Sequence, residues 1–368
     1  MAPTAISSPN TKPPPVTKSC VTAPPTETET LFHAPHQPTS TDPIPPLRQA
    51  LCSEQTPLAH RFRALFSLKH HASLNPATPD TLPAIYAIAS AFTSPSALLK
   101  HELAYCLGQT RNLASVPFLR RVLEDRAEDA MCRHEAAEAL GALGDVGSLG
   151  ALRGFRDDAG EVEVVRETCE IAVGRIEWEH GIGREERVRG SDFTSIDPAP
   201  PLAQGTKELS IPELRRRLLD TKSPLFERYR AMFALRDLAS PPDLPTAVPA
   251  VEALADGFTD PSALFRHEIA FVFGQLSHPA SIPSLIATLS NNKEESMVRH
   301  EAAEALGSLG DEEGVEDLLR GFLDDPEQVV RESVVVALDM AEFEKNGEME
   351  YAVLPEEQSF SPLASVKA

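Results

Sequence analysis

Four histidine-glutamate dipeptides, His101-Glu102, His134-Glu135, His267-Glu268 and His300-Glu301, carry the side chains of this sequence best suited to holding metal ions. A cation precedes each one (Lys100, Arg133, Arg266, Arg299), and an alanine stands three residues after each histidine (Ala104, Ala137, Ala270, Ala303). A glycine stands seven after it (Gly108, Gly141, Gly274, Gly307). The two histidines of each half are 33 residues apart, and the halves are offset by 166. Neighbouring residues on a helix project about 100° apart, so a histidine and the glutamate after it straddle one helix edge. Stacked repeats bring equivalent helices within about 8–10 Å of each other. His101 and His134 then face one space with a carboxylate, and so do His267 and His300. Two imidazoles and a carboxylate are the donor set of oxygen-activating non-haem iron, which leaves positions open for O2. Two such sets point to two metals. Without a thiolate, a binuclear iron or manganese centre fits these donors better than zinc, which stays open.

The positions around the dipeptides show what carries them. Thr93–Asp145 aligns without gaps to Thr259–Asp311, with 29 of 53 positions identical. The flanks correspond as well: Arg61-Phe62-Arg63-Ala64 to Arg228-Tyr229-Arg230-Ala231, and Val164-Val165-Arg166-Glu167 to Val329-Val330-Arg331-Glu332. Each half therefore holds four units of 30–40 residues, a period typical of a repeat array. Strong helix formers in Glu135–Leu140 and three-to-four spacing of apolar residues in Ile282–Leu289 make the units helical. Pro95, Pro117, Pro261 and Pro283 mark helix starts. The fold class is all-α: a HEAT-like solenoid of helical hairpins, in two four-repeat halves related by internal duplication. Aligned on the motif alanine, the first unit of each half has Arg61-Phe62 or Arg228-Tyr229 at the His-Glu position. The fourth units have Glu167-Thr168 and Glu332-Ser333 there. The scaffold folds units that lack the dipeptide, so packing does not require it.

Residues 1–46 contain 12 of the 33 prolines and no apolar periodicity, and read as a disordered tail. The halves span 47–180 and 209–346, with a linker at 181–208 rich in Gly, Pro and charge, and a tail at 347–368. Five unevenly spaced cysteines (Cys20, Cys52, Cys106, Cys132, Cys169) argue against a disulfide framework or a thiolate zinc cluster. The formal net charge of −21 argues against nucleic acid, which demands a basic footprint, and suits cationic ligands and basic protein surfaces. No apolar run approaches a membrane span and no secretory signal is visible. A soluble protein of the cytoplasm, with the nucleus as a second location, is expected. His33, His36, His60, His70, His71, His180 and His278 break the repeat pattern and read as solvated. Glu138 and Glu304, one turn beyond His134 and His300, lie on the motif face. The preceding cations either balance the carboxylates or form surface ion pairs.

With all four dipeptides intact, and Met131–Gly141 and Met297–Gly307 sharing Met-x-Arg-His-Glu-Ala-Ala-Glu-Ala-Leu-Gly, residues 47–346 resemble the deoxyhypusine hydroxylase family. The resemblance implies a di-iron monooxygenase with two Fe2+ per chain. It implies hydroxylation by O2 of the deoxyhypusine side chain on a hypusine-bearing translation factor, eukaryotic initiation factor 5A. On that reading His101 and His134 hold one iron and His267 and His300 the other, with Glu102 and Glu268 the favoured carboxylate ligands. Glu135 and Glu301 ligate, bridge, or bind the substrate amines from just outside the coordination sphere. A closed pair of halves would work as a monomer. A non-catalytic HEAT-repeat adaptor, a HEAT-like bilin lyase and a metal-dependent hydrolase on the same scaffold are the alternatives.

Overall fold

Runs of Ala and Leu broken by short polar turns make each repeat a pair of antiparallel helices, and the computed structural model of the chain follows this pattern. It describes residues 42–181, 193–202 and 209–346. Sixteen α-helices and no strand occur among them. The first half pairs α1 (Ile44–Cys52) with α2 (Leu58–Ala72), α3 (Thr81–Ser90) with α4 (Ala97–Gln109), α5 (Val116–Glu124) with α6 (Ala130–Ala142), and α7 (Leu149–Asp157) with α8 (Glu163–His180). In the second half, α9 (Ile211–Leu218) pairs with α10 (Leu225–Ala239), α11 (Ala247–Ala255) with α12 (Ala263–Leu276), α13 (Ile282–Ser290) with α14 (Ser296–Gly307), and α15 (Val315–Arg320) with α16 (Gln328–Asn346). No helix among the described residues is long and apolar enough to cross a membrane.

The two helices of a hairpin differ in composition because they differ in what covers them. An outer helix such as α5 buries one stripe (Phe118, Leu119, Val122, Leu123) and turns arginines outward. Inner helices are buried almost all round and are rich in small residues; in α6 everything from Met131 to Ala137 is covered. Side chains cap three of the four motif helices: Ser96 Oγ accepts from Leu99 N, Ser262 Oγ from Phe265 N, and Asp129 from Met131 N. Pro117 and Pro283 sit in first turns, while Pro95 and Pro261 immediately precede the caps. The motif glycines set the helix spacing. A Cβ on Gly108 would lie 2.8 Å from Ala139 Cα, and one on Gly307 2.8 Å from Ala337 Cα. At Gly108, Gly141 and Gly307 the inner helix thus approaches the next more closely than a side chain would permit, whereas a Cβ on Gly274 would meet Ala305 at an ordinary 3.4 Å.

Inner helices follow one another through each half, and the halves meet at both ends: α8 packs on α10 and α12, and α16 packs on α2 and α4. Equivalent contacts tie the two junctions. Ser96 Oγ donates to Glu332 Oε2 and Ser262 Oγ to Glu167 Oε2, each at 2.7 Å. Arg63 adds a bidentate pair to Asp339, at 2.9 and 2.8 Å.

The cations before the histidines do not face the histidines. Arg133 Nε donates to the carbonyl of Leu123 in the last turn of α5, and its guanidinium grips Glu161 in the next loop. Arg299 does the same with Leu289 and Asp325. Both arginines are buried, so they are neither surface ion pairs nor counter-charges for the dipeptides. Lys100 and Arg266 pair with Glu128 and Glu294 of the following repeat. Arg61 and Arg228 make the same ten-residue reach, to Leu51 and Leu218. This fixes the register of the outer units. Phe62-Arg63 and Tyr229-Arg230, not Arg61-Phe62 and Arg228-Tyr229, stand where His-Glu stands, because identical hydrogen bonds place Arg61 and Arg228 level with Arg133 and Arg299. Arg299→Ala strands a buried carboxylate and a carbonyl, and is expected to destabilise the fold by about 3–5 kcal/mol in urea titration.

Two sequence boundaries shift. The first helix starts at Ile44, taking in the last residues of the 1–46 segment, because Ile44 and Leu47 pack into the core. Within the 181–208 linker, residues 197–201 are buried rather than solvated. The rest of these segments (1–41, 182–192 and 203–208), like 347–368, lies outside the described residues.

Candidate metal centre

The four motif helices α4, α6, α12 and α14 deliver their histidines to one buried point. Ring centroids of His101 and His134 are 5.3 Å apart, as are those of His267 and His300. Across the halves the spacing is the same: 5.3 Å for His101–His300, 5.4 Å for His134–His267 and 5.8 Å for His101–His267. The expected half-sites are therefore one compact cluster to which both halves contribute. Among the described residues, none of the eight ring nitrogens has a hydrogen-bond partner. Buried imidazoles normally donate through one nitrogen and accept through the other. Eight orphaned nitrogens converging within a few ångströms fit a metal-binding role and have no other evident purpose. Nitrogens of His101, His267 and His300 lie within 4.8 Å of one another, and so do donor atoms of His101, His134 and Glu135. His300, Glu301 and Glu304 form a further such group.

The four carboxylates differ in what they reach. Glu135 Oε2 lies 3.3 Å from His101 Nε2, and Glu301 Oε2 lies 3.3 Å from His267 Nε2. It is thus the glutamate of the third unit in each half that reaches the histidine of the second. Glu102 and Glu268 make no such imidazole contact; Glu102 Oε1 accepts from Cys106 Sγ at 3.8 Å, and Glu268 Oε1 is unpartnered. The reason is the direction of turn: one step past the histidine rotates the side chain by about 100° toward the preceding helix. Glu135 and Glu301 therefore reach back to the second-unit histidines, while Glu102 and Glu268, turned the same way, face away from the third-unit ones. All four line a cavity of about 240 Å³ together with Glu138 and Glu304.

Burial dominates the electrostatics. It pushes the Glu102 and Glu135 carboxyls up to about 8, with Glu304 adding to it at Glu102 and Glu301 at Glu135. Glu138, Glu268 and Glu304 are raised by burial too. It lowers His134 and His300, and the neighbouring imidazoles push the same way, so these rings are neutral, the state that ligates a metal. A cation among these five raised carboxyls would stabilise them as anions.

One wall of the cavity carries residues that the repeat pattern does not single out: Phe62, Phe66 and Lys69 from α2, Tyr105 from α4, and Val336 and Met340 from α16. Lys69 Nζ stands 5.0 Å from the Tyr105 ring centroid. Of the histidines expected to be solvated, His278 is buried, its Nδ1 accepting from Ala280 N at the turn before α13. His180 is exposed and lies 3.1 Å from the Gly144 carbonyl.

A family model for HEAT repeats matches residues 82–174 and 251–339. The deoxyhypusine hydroxylase of Phaeosphaeria nodorum is 72% identical over 319 residues, covering 86% of this chain and 97% of the relative. The chain belongs to the deoxyhypusine hydroxylase family. The enzyme of that name from Aspergillus fumigatus is 69% identical over 311 residues, covering 84% of this chain and 93% of its own length. Human deoxyhypusine hydroxylase, solved in complex with glycerol, superimposes with a TM-score of 0.72 at 45% identity, covering 81% of this chain and 96% of that one. The family's HEAT architecture and the buried His-Glu cluster thus meet in one molecule.

Proposed function

We propose that the chain is a monooxygenase that hydroxylates the deoxyhypusine side chain of a hypusine-bearing translation factor, eukaryotic initiation factor 5A, with O2 and two ferrous ions. The observation that carries this reading is the cluster of four imidazoles with every ring nitrogen unpartnered, in a chain of this family. His101, His134 and Glu135 would hold one iron, and His267, His300 and Glu301 the other. When bound, iron supplies O2 activation, which no side chain here performs alone. The protein's own part is positioning and charge. Deoxyhypusine carries a secondary and a primary amine joined by four methylenes, so its binding site needs carboxylates near each end and an apolar wall between them. Glu102 and Glu268 supply carboxylates outside the imidazole contacts, and Phe62, Phe66 and Met340 supply the wall. Burial among the inner helices keeps water from the reacting carbon. The enzyme acts as a monomer, since each half completes the cluster of the other within one chain.

Protein purified without chelator is expected to carry close to two irons per chain and to convert deoxyhypusine to hypusine in the full-length factor. Stoichiometric zinc, or full iron without turnover, would remove this reading in favour of a hydrolase or an adaptor on the same scaffold.

A further inference from the structure

Internal duplication builds two equivalent approaches to the histidine cluster, one at the α2–α16 junction and one at the α10–α8 junction. Their lining has diverged. At the first, the cavity is bounded by Phe66, Lys69 and Met340, all partly exposed. Their counterparts at the second are Phe233, Arg236 and Arg175, none of which borders the cavity. Phe233 and Arg236 are fully covered. What covers this side is the described part of the linker. Its Asp197 carboxylate takes both terminal nitrogens of Arg236 at 2.8 Å, and the Phe193 ring centroid lies 4.2 Å from the same guanidinium. The segment is also stitched to both halves by an equivalent pair of glutamines. Gln109 exchanges two hydrogen bonds with the Ile196 backbone, at 2.7 and 3.2 Å. Gln275 donates to Ser195 Oγ at 2.9 Å and accepts from Arg236 at 2.8 Å.

We infer that residues 193–201 are a fixed plug over one of two duplicated entrances, so that the substrate side chain reaches the cluster only between α2 and α16. No comparable segment lies across the α2–α16 side among the described residues; there the halves are joined by Arg63–Asp339 and Ser96–Glu332. The occupant this entrance fits is a long aliphatic chain bearing a cation. Phe66, Val336 and Met340 offer the methylenes an apolar lining, and Glu102 and Glu304 border the same cavity with carboxylates for an ammonium group. A buried bidentate ion pair with its remaining donors satisfied holds one arrangement firmly. The plug is therefore a permanent wall rather than a moving lid. Duplication thereby yields a single-ended site, which a substrate anchored to a protein requires.

The identity of the side chain rests on the deoxyhypusine reading, but the route is testable without it. Met340→Trp narrows the α2–α16 entrance, and Phe193→Ala or Gln109→Ala loosens the plug. In iron-loaded full-length protein, Met340→Trp is expected to slow iron loss to a bulky ferrous chelator, and to lower kcat/KM for the protein substrate by about ten-fold or more, chiefly through KM. Both plug variants are expected to speed chelation while leaving kcat/KM within about two-fold of the parent. Iron content and thermal melting confirm that each variant is folded and loaded. Unchanged chelation and turnover in folded, loaded Met340→Trp would overturn the inference, as would a plug variant that loses turnover with its iron intact. If the parent shows no hydroxylation at all, the functional reading fails, while the chelation rates still decide the route.

Discussion

Replacing His134 by alanine is expected to remove one of the two proposed irons and to reduce hydroxylation by more than about 100-fold, while the helices stay folded. The magnitude follows from the ligand's place: groups that merely orient a ligand already cost about 10- to 100-fold when lost, and His134 would bind directly. Its ring is wholly covered, burial keeps it neutral, and neither nitrogen has a hydrogen-bond partner to lose. The fold does not lean on it. Helix α6 is held by the Arg133 clamp to Leu123 and Glu161 and by the close approach of Gly141 to Ala172, none of which the substitution touches. Metal analysis, circular dichroism and hypusine assay of the same preparation separate the outcomes. A variant with full iron and full turnover would remove His134 from the ligand set.

That the histidines would converge was legible in the sequence because repetition does the geometry: identical units stack in register, so equivalent residues share a face. The apolar periodicity and the gapless alignment gave the hairpins for the same reason. What did not follow was anything that depends on rotation within one turn. Arg133 and His134 are adjacent, yet one points back along its own hairpin and the other into the centre, and only the hydrogen bond to Leu123 reveals which. The shifted register of Arg61 and Arg228 is an error of the same kind, one residue along the helix. The cavity wall was illegible for another reason. Met340 neighbours Asp339, whose partner Arg63 lies at the other end of the repeat array, and only closure of the two halves brings α16 to α2. The packed linker had no periodicity to betray it: an ion pair to Arg236 anchors it, and Ala199 and Leu202 join the core without a repeating apolar face.

Glu301→Gln and Glu268→Gln, isosteric changes on neighbouring helices, are expected to fail in opposite ways. Glu301 brings an oxygen within 3.3 Å of His267 Nε2, where both atoms can meet one metal ion. Its amide cannot supply the negative charge that a ligand set of neutral imidazoles needs, so one iron is lost and turnover falls with it by more than about 100-fold. Glu268 borders the same cavity with an unpartnered oxygen and no imidazole contact. Its amide leaves the imidazole cluster whole and takes from the cavity a charge that, on the proposed function, would face the substrate's ammonium. Iron should then remain near two per chain, while KM rises by about ten-fold or more, in keeping with the roughly 2 kcal/mol or more lost when one partner of a buried, hydrogen-bonded charge pair is removed. Parallel measurement of iron content and KM decides between the rows. Loss of iron in Glu268→Gln, with iron retained in Glu301→Gln, would restore Glu102 and Glu268 as the ligands and make the 3.3 Å contacts incidental.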